Sequence, residues 1–280
     1  MLLALLRAMR VDFAQRRVNH TWFALYATRR PLARSYRRSQ SGGAKKMKIY
    51  IVTVCLNASD ALRVTIKSIG ALKTEDVYYL VVDGDSNDDT KETLIGAGRL
   101  VDRWISEPDH GIYEAMNKAI SLLPLEEGHV LFLGAGDELL ALPTPQQRES
   151  GTVLFGNVQI GATTFFSSVG WKLKLGNTLH HQGLFVPRSV VANVRFDVRF
   201  KLFADFDLNQ RLFKAKLPFQ ALNKTIAYAH PGGVTWYAGI GEMLEIIRKN
   251  YGILWVCLAR VLGKYRALRR QLLGRNRQWP

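Results

Sequence analysis

From Lys48 onward the chain alternates short apolar runs with stretches in which apolar residues recur every three or four positions. KIYIVTVCL, YYLVVD, WIS and HVLFLG read as buried strands, while SDALRVTIKSIGAL and the stretch beginning at Ile112 read as helices. In the first helix Leu62, Ile66, Ile69 and Leu72 share a face, and Ser59 stands at the capping position. In the second, Ile112, Ala115, Met116, Ala119 and Ile120 form the predicted inward face, and Tyr113, Glu114, Asn117 and Lys118 the polar one. Strands alternating with helices predict an α/β domain around a mostly parallel central sheet. After Gly151 the pattern loosens: TVLFGNVQI and GLFVPR read as strands and DLNQRLFKA as a helix, with no internal repeat.

Three of the apolar runs close on polar groups: Asn57 after the first, Asp83 and Asp85 after the second, Asp137 after the third. In an open parallel sheet the carboxyl ends of adjacent strands border the ligand crevice, which puts Asn57, Asp83 and Asp137 on one rim. Turn preference accounts for any one of them, but less well for the set. No GxxxxGK[ST] or GxGxxG occurs, so a glycine-rich phosphate cradle is not indicated. A carboxylate rim can instead hold a divalent cation that grips a diphosphate, an arrangement suited to a nucleotide-activated donor. In SEPDHG, Pro108 and Gly111 shape a turn that aims the next helix's N-terminus at the crevice, where free N–H groups favour phosphate. Asp109 either caps that helix or contacts the nucleotide. Asn117 and Lys118 follow about one turn later, within reach of a donor or facing solvent.

Charge changes the picture through its distribution. The chain has 280 residues, 48% of them apolar, and a net charge of +16. Residues 1–46 hold 11 Lys and Arg against one acid, and residues 248–280 hold 9 against none, so 39 − 11 − 9 leaves 19 basic residues against 22 acidic ones in 47–247. The basicity belongs to the tails, whereas a duplex-binding enzyme lines its cleft with Lys and Arg. No aromatic stacking motif accompanies the tails, and nucleic acid is not an expected partner. YGILWVCLARVLGKYRALRRQLLG has an uncharged run of nine residues, far short of the roughly 20 that span a bilayer. It is expected to lie on an anionic membrane surface, with a solvated basic helix packed on the domain as the alternative. MLLALLRAMR is too short an apolar run for a signal peptide, and Met47 directly precedes the first clear strand. Residues 1–46 therefore read as a basic N-terminal extension, 47–240 as the catalytic domain and 241–280 as a basic amphipathic helical segment. Cys55 and Cys257 are solitary, which suits a reducing cytosol.

IVTVCLN, VVDGDSNDDT, WISEPDHGIYEAMNKAI, FLGAGDELL, HHQGLFVP and ADFDLNQRLF resemble, in order, the motifs of family 2 glycosyltransferases, and most closely the bacterial exopolysaccharide branch typified by colanic acid biosynthesis enzymes. The resemblance covers about residues 47–235, and SEPDHGIYEAMNKAI is its most specific piece. It implies a glycosyltransferase-A (Rossmann-like) fold, a nucleotide-sugar donor, UDP-linked, a divalent metal (Mn or Mg) and inversion at the anomeric carbon. By resemblance Thr53, Asn57 and Asp83 surround the nucleoside, with Asp83 partnering the base, and Asp85, Asp109, Asn117 and Lys118 complete the donor side. Asp137 matches the second acid of the metal motif, while Ala135 and Gly136 stand where the first would be. Asp205 falls on the catalytic base, whose proton acceptance is typically worth about 10²- to 10⁴-fold. Asp207 either caps its helix or joins His181, Gln182 and Trp236 around the acceptor. His230 is a candidate to complete the metal site, and Trp236 with Tyr237 forms an acceptor platform or is buried. The implied acceptor is a polyprenyl-diphosphate-linked sugar at the inner face of the plasma membrane. Two other readings remain: a sugar-nucleotide nucleotidyltransferase, whose glycine-rich basic loop IVTVCLNASDAL lacks, and an idle scaffold recruited through the tails.

Overall fold

The computed structural model of the chain describes residues 47–231 and 240–272. The expected extension 1–46 and the candidate acceptor residues Trp236 and Tyr237 lie outside the described residues. The first half follows the predicted alternation: β1 (Lys48–Cys55), α1 (Ser59–Leu72), β2 (Val77–Asp83), α2 (Thr90–Ala97), β3 (Arg103–Ser106), α3 (Ile112–Leu122) and β4 (Gly128–Phe132). These four strands lie side by side in the order β3-β2-β1-β4, all parallel. Successive residues of the central strands face opposite sides. Tyr50, Val52, Leu80 and Val82 enter one core cluster, and Ile49, Ile51, Tyr79 and Val81 enter the other. Both faces are covered, which is why these strands read as unbroken apolar runs. Each fully buried Ile, Leu or Val contributes about 1.5–3 kcal/mol.

Beyond β4 the order changes. β5 (Glu138–Leu139), β6 (Val153–Ile160), β7 (Thr163–Phe165), β8 (Leu184–Pro187) and β9 (Phe219–Ala229) extend the sheet to the order β3-β2-β1-β4-β8-β6-β9-β5, with β7 paired to β6. β8 is antiparallel to both β4 and β6, whereas β9 runs parallel to β6. The helices of this half are α4 (Arg188–Asn193), α5 (Ala204–Lys214), α6 (Gly241–Tyr251) and α7 (Ile253–Leu272). α6 packs into the same core: its Ile246 and Ile247 join the cluster that also holds Leu208 and Leu212 of α5. Gly252, at φ 88°, separates α6 from α7 by a conformation that favours glycine. Among the described residues no helix is long and apolar enough to cross a membrane.

Two local expectations are corrected. Ser59 does not cap α1; Ala58 precedes the helix, and the Ser59 hydroxyl pairs with Thr93 Oγ1 at 2.8 Å, joining α1 to α2. In α3, Ile112 is 45% exposed while Tyr113 is buried. The buried stripe runs Tyr113, Met116, Ile120, a three- and four-residue spacing that an aromatic satisfies as well as an aliphatic. Ile112 sits in the first turn, where the helix projects beyond its support.

Candidate active site

The parallel register brings the ends of the first strands level. Cys55 pairs with Asp83, and Asp83 pairs with Ser106, so of the rim expected from the strand ends the register sets Asp83 level with the ends of its two neighbours. Most of its polar groups serve one another. Asp83 is fully buried and accepts from the Ser86 N–H at 3.0 Å, the Ser106 hydroxyl at 2.6 Å, the Ser86 hydroxyl and the Cys55 thiol. Burial and the Asp83 charge push the Cys55 thiol up to about 12. Asn57, in a left-handed conformation at φ 49°, accepts from Asn87 N–H and donates its own N–H to Ser86 Oγ, tying the loop after β1 to the loop after β2. Asp85 pairs with Lys91 at 2.8 Å on the exposed outer side.

The second part of the site is assembled across the change of strand direction. Asp137 lies in the turn between β4 and β5, immediately before Glu138. Asp137 Oδ1 accepts the His230 N–H at 2.9 Å, and its Oδ2 accepts the Gln182 side-chain amide. That oxygen lies so close to Gly134 that a Cβ there would stand 2.5 Å from it, so the turn after β4 needs glycine at this point. Burial raises the Asp137 pKa above the ordinary carboxylate value. Next to Gln182 in the chain, His181 places Nδ1 3.5 Å from Asp205 Oδ2. Asp205 also accepts from Asn177 Nδ2 at 3.1 Å, from the Tyr113 hydroxyl at 3.3 Å and from Phe206 N–H at 2.8 Å. Burial pushes the Asp205 pKa up, but the His181 hydrogen bond and charge outweigh it, and the net shift is downward. The His180 ring stacks on His181, and burial together with the neighbouring His181 charge pushes its own pKa down to about 3. Asp137, Gln182, His181 and Asp205 thus form one continuous line from the end of β4 to the start of α5.

No protein-family profile matches the chain. Its sequence is 28% identical over 177 residues to a PGL/p-HBAD biosynthesis glycosyltransferase of Mycobacterium bovis, covering 58% of this chain and 68% of that protein. The structure is similar to S. aureus TarS residues 1–349 in complex with UDP, with a TM-score of 0.55, 13% identity and 76% of this chain covered. It is also similar to the mannosyltransferase PcManGT of Pyrobaculum calidifontis in complex with GDP-Man and Mn²⁺, with a TM-score of 0.54, 12% identity and 74% of this chain covered. The chain spans just under two thirds of each of those solved chains, 65% and 64%. Fold and sequence relatives alike are those of a glycosyltransferase. The fold is the expected glycosyltransferase-A type, a mixed α/β domain on a curled, mostly parallel sheet.

Several residues expected at the donor or acceptor are committed elsewhere. Thr53 is wholly buried, and its hydroxyl accepts the Tyr79 hydroxyl at 3.0 Å inside the core. Asn117 exchanges two hydrogen bonds with the Phe196 backbone, both 2.9 Å, so it fastens α3 to the segment after α4. Lys118 pairs with Glu107 at 3.0 Å and donates to Pro108 O at 3.0 Å, closing the turn before α3. Asp109 does not cap α3; it accepts the Gly111 N–H at 2.9 Å, and its Oδ2 lies over Gly84. With Glu114 also in the first turn, that helix start already faces carboxylates, which disfavours phosphate there. Asp207 is fully buried and bound to Arg211, Lys249 and Asn250, so it joins α5 to α6 and is out of reach of an acceptor.

Three further residues hold the site together. Tyr113, on the polar face by periodicity, is buried with its hydroxyl on Asp205. Asn177 sits in an irregular segment without periodicity. Glu242 of α6 accepts the N–H groups of Lys201, Leu202 and Phe203 at 2.6–3.1 Å, holding the start of the helix that carries Asp205. For a metal, no three of His, Cys, Asp or Glu converge among the described residues. Mg²⁺ and similar cations in phosphate sites take one or two carboxylates and fill the remaining positions with phosphate oxygens and water. Asp137 supplies one carboxylate, and the Gln182 amide beside it has a buried Oε1 with no partner among the described residues. It is the Gln182 amide N–H that faces Asp137, so Asp137 is the one carboxylate these residues offer such a cation, the fewest a phosphate-bridged site takes.

Proposed function

We propose that this glycosyltransferase moves a hexosyl group from a UDP-linked donor, with inversion, to a hydroxyl of a lipid-linked saccharide at an anionic membrane surface. The observation that carries the reading is the line Asp137–Gln182–His181–Asp205, which sets a group able to anchor a diphosphate beside a buried carboxylate held ionised. Asp205 accepts the proton of the acceptor hydroxyl as that oxygen attacks the anomeric carbon, and the bond to the nucleoside diphosphate breaks on the opposite face. His181, Asn177 and Tyr113 orient the Asp205 carboxylate and stabilise its charge before the proton arrives. A divalent cation, Mn²⁺ or Mg²⁺, held by Asp137, would neutralise the charge on the departing diphosphate. His230 supports Asp137 through its backbone N–H, while its imidazole faces Glu138 Oε1 at 3.8 Å.

TarS bound to UDP favours uridine for the base, and PcManGT bound to Mn²⁺ favours the metal. The ordered motifs favour family 2 and its exopolysaccharide branch, and the basic, partly apolar C-terminal segment favours the cytoplasmic face of a membrane. The test is thermal shift of the full chain with UDP, GDP and ADP, each with and without Mn²⁺. UDP is expected to raise the melting temperature most, and more so with Mn²⁺. A chain that no nucleoside diphosphate stabilises contradicts the reading.

A further inference from the structure

At the far end of α5 from Asp205, some nine residues or roughly 14 Å along the helix axis, the surface opens into a cavity of about 590 Å³. Phe213, Leu217 and Phe219 give it an apolar floor, and three cations, Lys174, Lys214 and Lys216, stand around it. Among the described residues no acidic side chain lines it. Lys174 lies over the rings of Tyr251, at 5.3 Å, and Trp255, at 4.6 Å, which joins the cavity to α7. Lys216 occupies φ 55° just beyond the last turn of α5, a position and conformation where glycine is the ordinary residue. A lysine there costs backbone strain that glycine would not. Close by in the chain, Trp171 in the same one-turn helix as Lys174 is 56% exposed, and Leu254 at the start of α7 is 80% exposed.

We propose that this cavity is a headgroup site for an anionic phospholipid, which docks the end of α5 and the start of α7 against the bilayer. The lysines take the phosphate, the apolar floor receives the first methylenes, and Trp171 and Leu254 enter the interface as aromatic and aliphatic anchors. The proposal rests on the membrane-surface reading above and assigns it to residues outside the basic tail. It fixes the distance between the bilayer and Asp205 by the length of one helix.

Full-length chain is sedimented with vesicles of phosphatidylcholine alone and of phosphatidylcholine mixed with phosphatidylglycerol. Wild type is expected to pellet with the anionic vesicles, and Lys174→Ala/Lys216→Gly to lose about tenfold or more in vesicle affinity. Arg63→Ala/Lys67→Ala, which removes the same charge from exposed positions on α1, is expected to bind as wild type does. Glycine at 216 suits the backbone, so the first variant should keep its fold, read as an unchanged UDP-dependent thermal shift. If both variants bind as wild type does, or both fall equally, the headgroup site is overturned while the membrane reading stands. If wild type itself ignores anionic vesicles, the membrane reading fails and this site with it.

Discussion

The Asp205 carboxylate receives hydrogen bonds from Tyr113, Asn177 and the Phe206 backbone and faces His181 at 3.5 Å. Its pKa lies below the ordinary carboxylate value, so it stays ionised as pH falls through the range where a free Asp takes up a proton. The sign has two consequences. Folding favours the ionised form, a contribution present above the unfolded pKa and lost as pH falls through the folded one. A base with this shift also keeps working further into acid. Removing His181 removes the leading stabilising influence and leaves burial, which raises the pKa. In His181→Ala the acid limb of the kcat/KM profile is therefore expected to move to higher pH, while UDP affinity changes little. A profile whose acid limb stays in place would show that His181 does not tune Asp205. At this scale the sequence was legible in type more than in role. Asp83, Asp85, Asp137, Asp205 and Asp207 are one residue type, and only their partners distinguish them. Asp207 is spent on Arg211 and Lys249, and Asp85 on Lys91. Arg211 lies four residues on in the same helix and Lys91 six residues from Asp85, but Lys249 comes from α6, 42 residues away, which spacing along the chain does not reveal.

The elements were the most legible part, because period carries them. β1, β2 and β4 bury both faces and read as apolar runs, and α1 and α3 carry a three- and four-residue stripe. What period does not carry is which helices hold the site rigid. α5 is fastened to α6 through Asp207, Lys249 and Asn250, and its first turn rests on Glu242. Substituting Asp207 by Ala strands Arg211 and Lys249 without their buried partner. The cost is expected at about 2–3 kcal/mol, below the ~3–5 of a fully enclosed pair because both cations keep partial exposure. For a domain of this size that lowers the melting temperature by about 5–10 °C. A melting temperature within a degree or so of wild type would show that the α5–α6 junction is held by apolar packing instead.

At the scale of the whole molecule, the change from parallel to antiparallel pairing between β4 and β8 is what brings the two halves of the site together. The turn between β4 and β5 delivers Asp137, the one-turn helix His181–Gly183 before β8 delivers Gln182 and His181, and α5 delivers Asp205. The alternation of strands and helices foretold the parallel half. In the antiparallel half β6, β8 and α5 were legible as segments, but their pairing was not, and the stretch from Thr163 to Gly183 is a three-residue strand and one-turn helices with no sustained period. The line of four side chains crosses that boundary, so the chemistry depends on both halves. It is tested most directly by measuring UDP release from a UDP-sugar in the presence of lipid acceptor for wild type and Asp205→Asn, with UDP binding followed calorimetrically on the same preparations. Loss of turnover by about 10²- to 10⁴-fold with UDP affinity retained is the predicted result; turnover equal to wild type would contradict it.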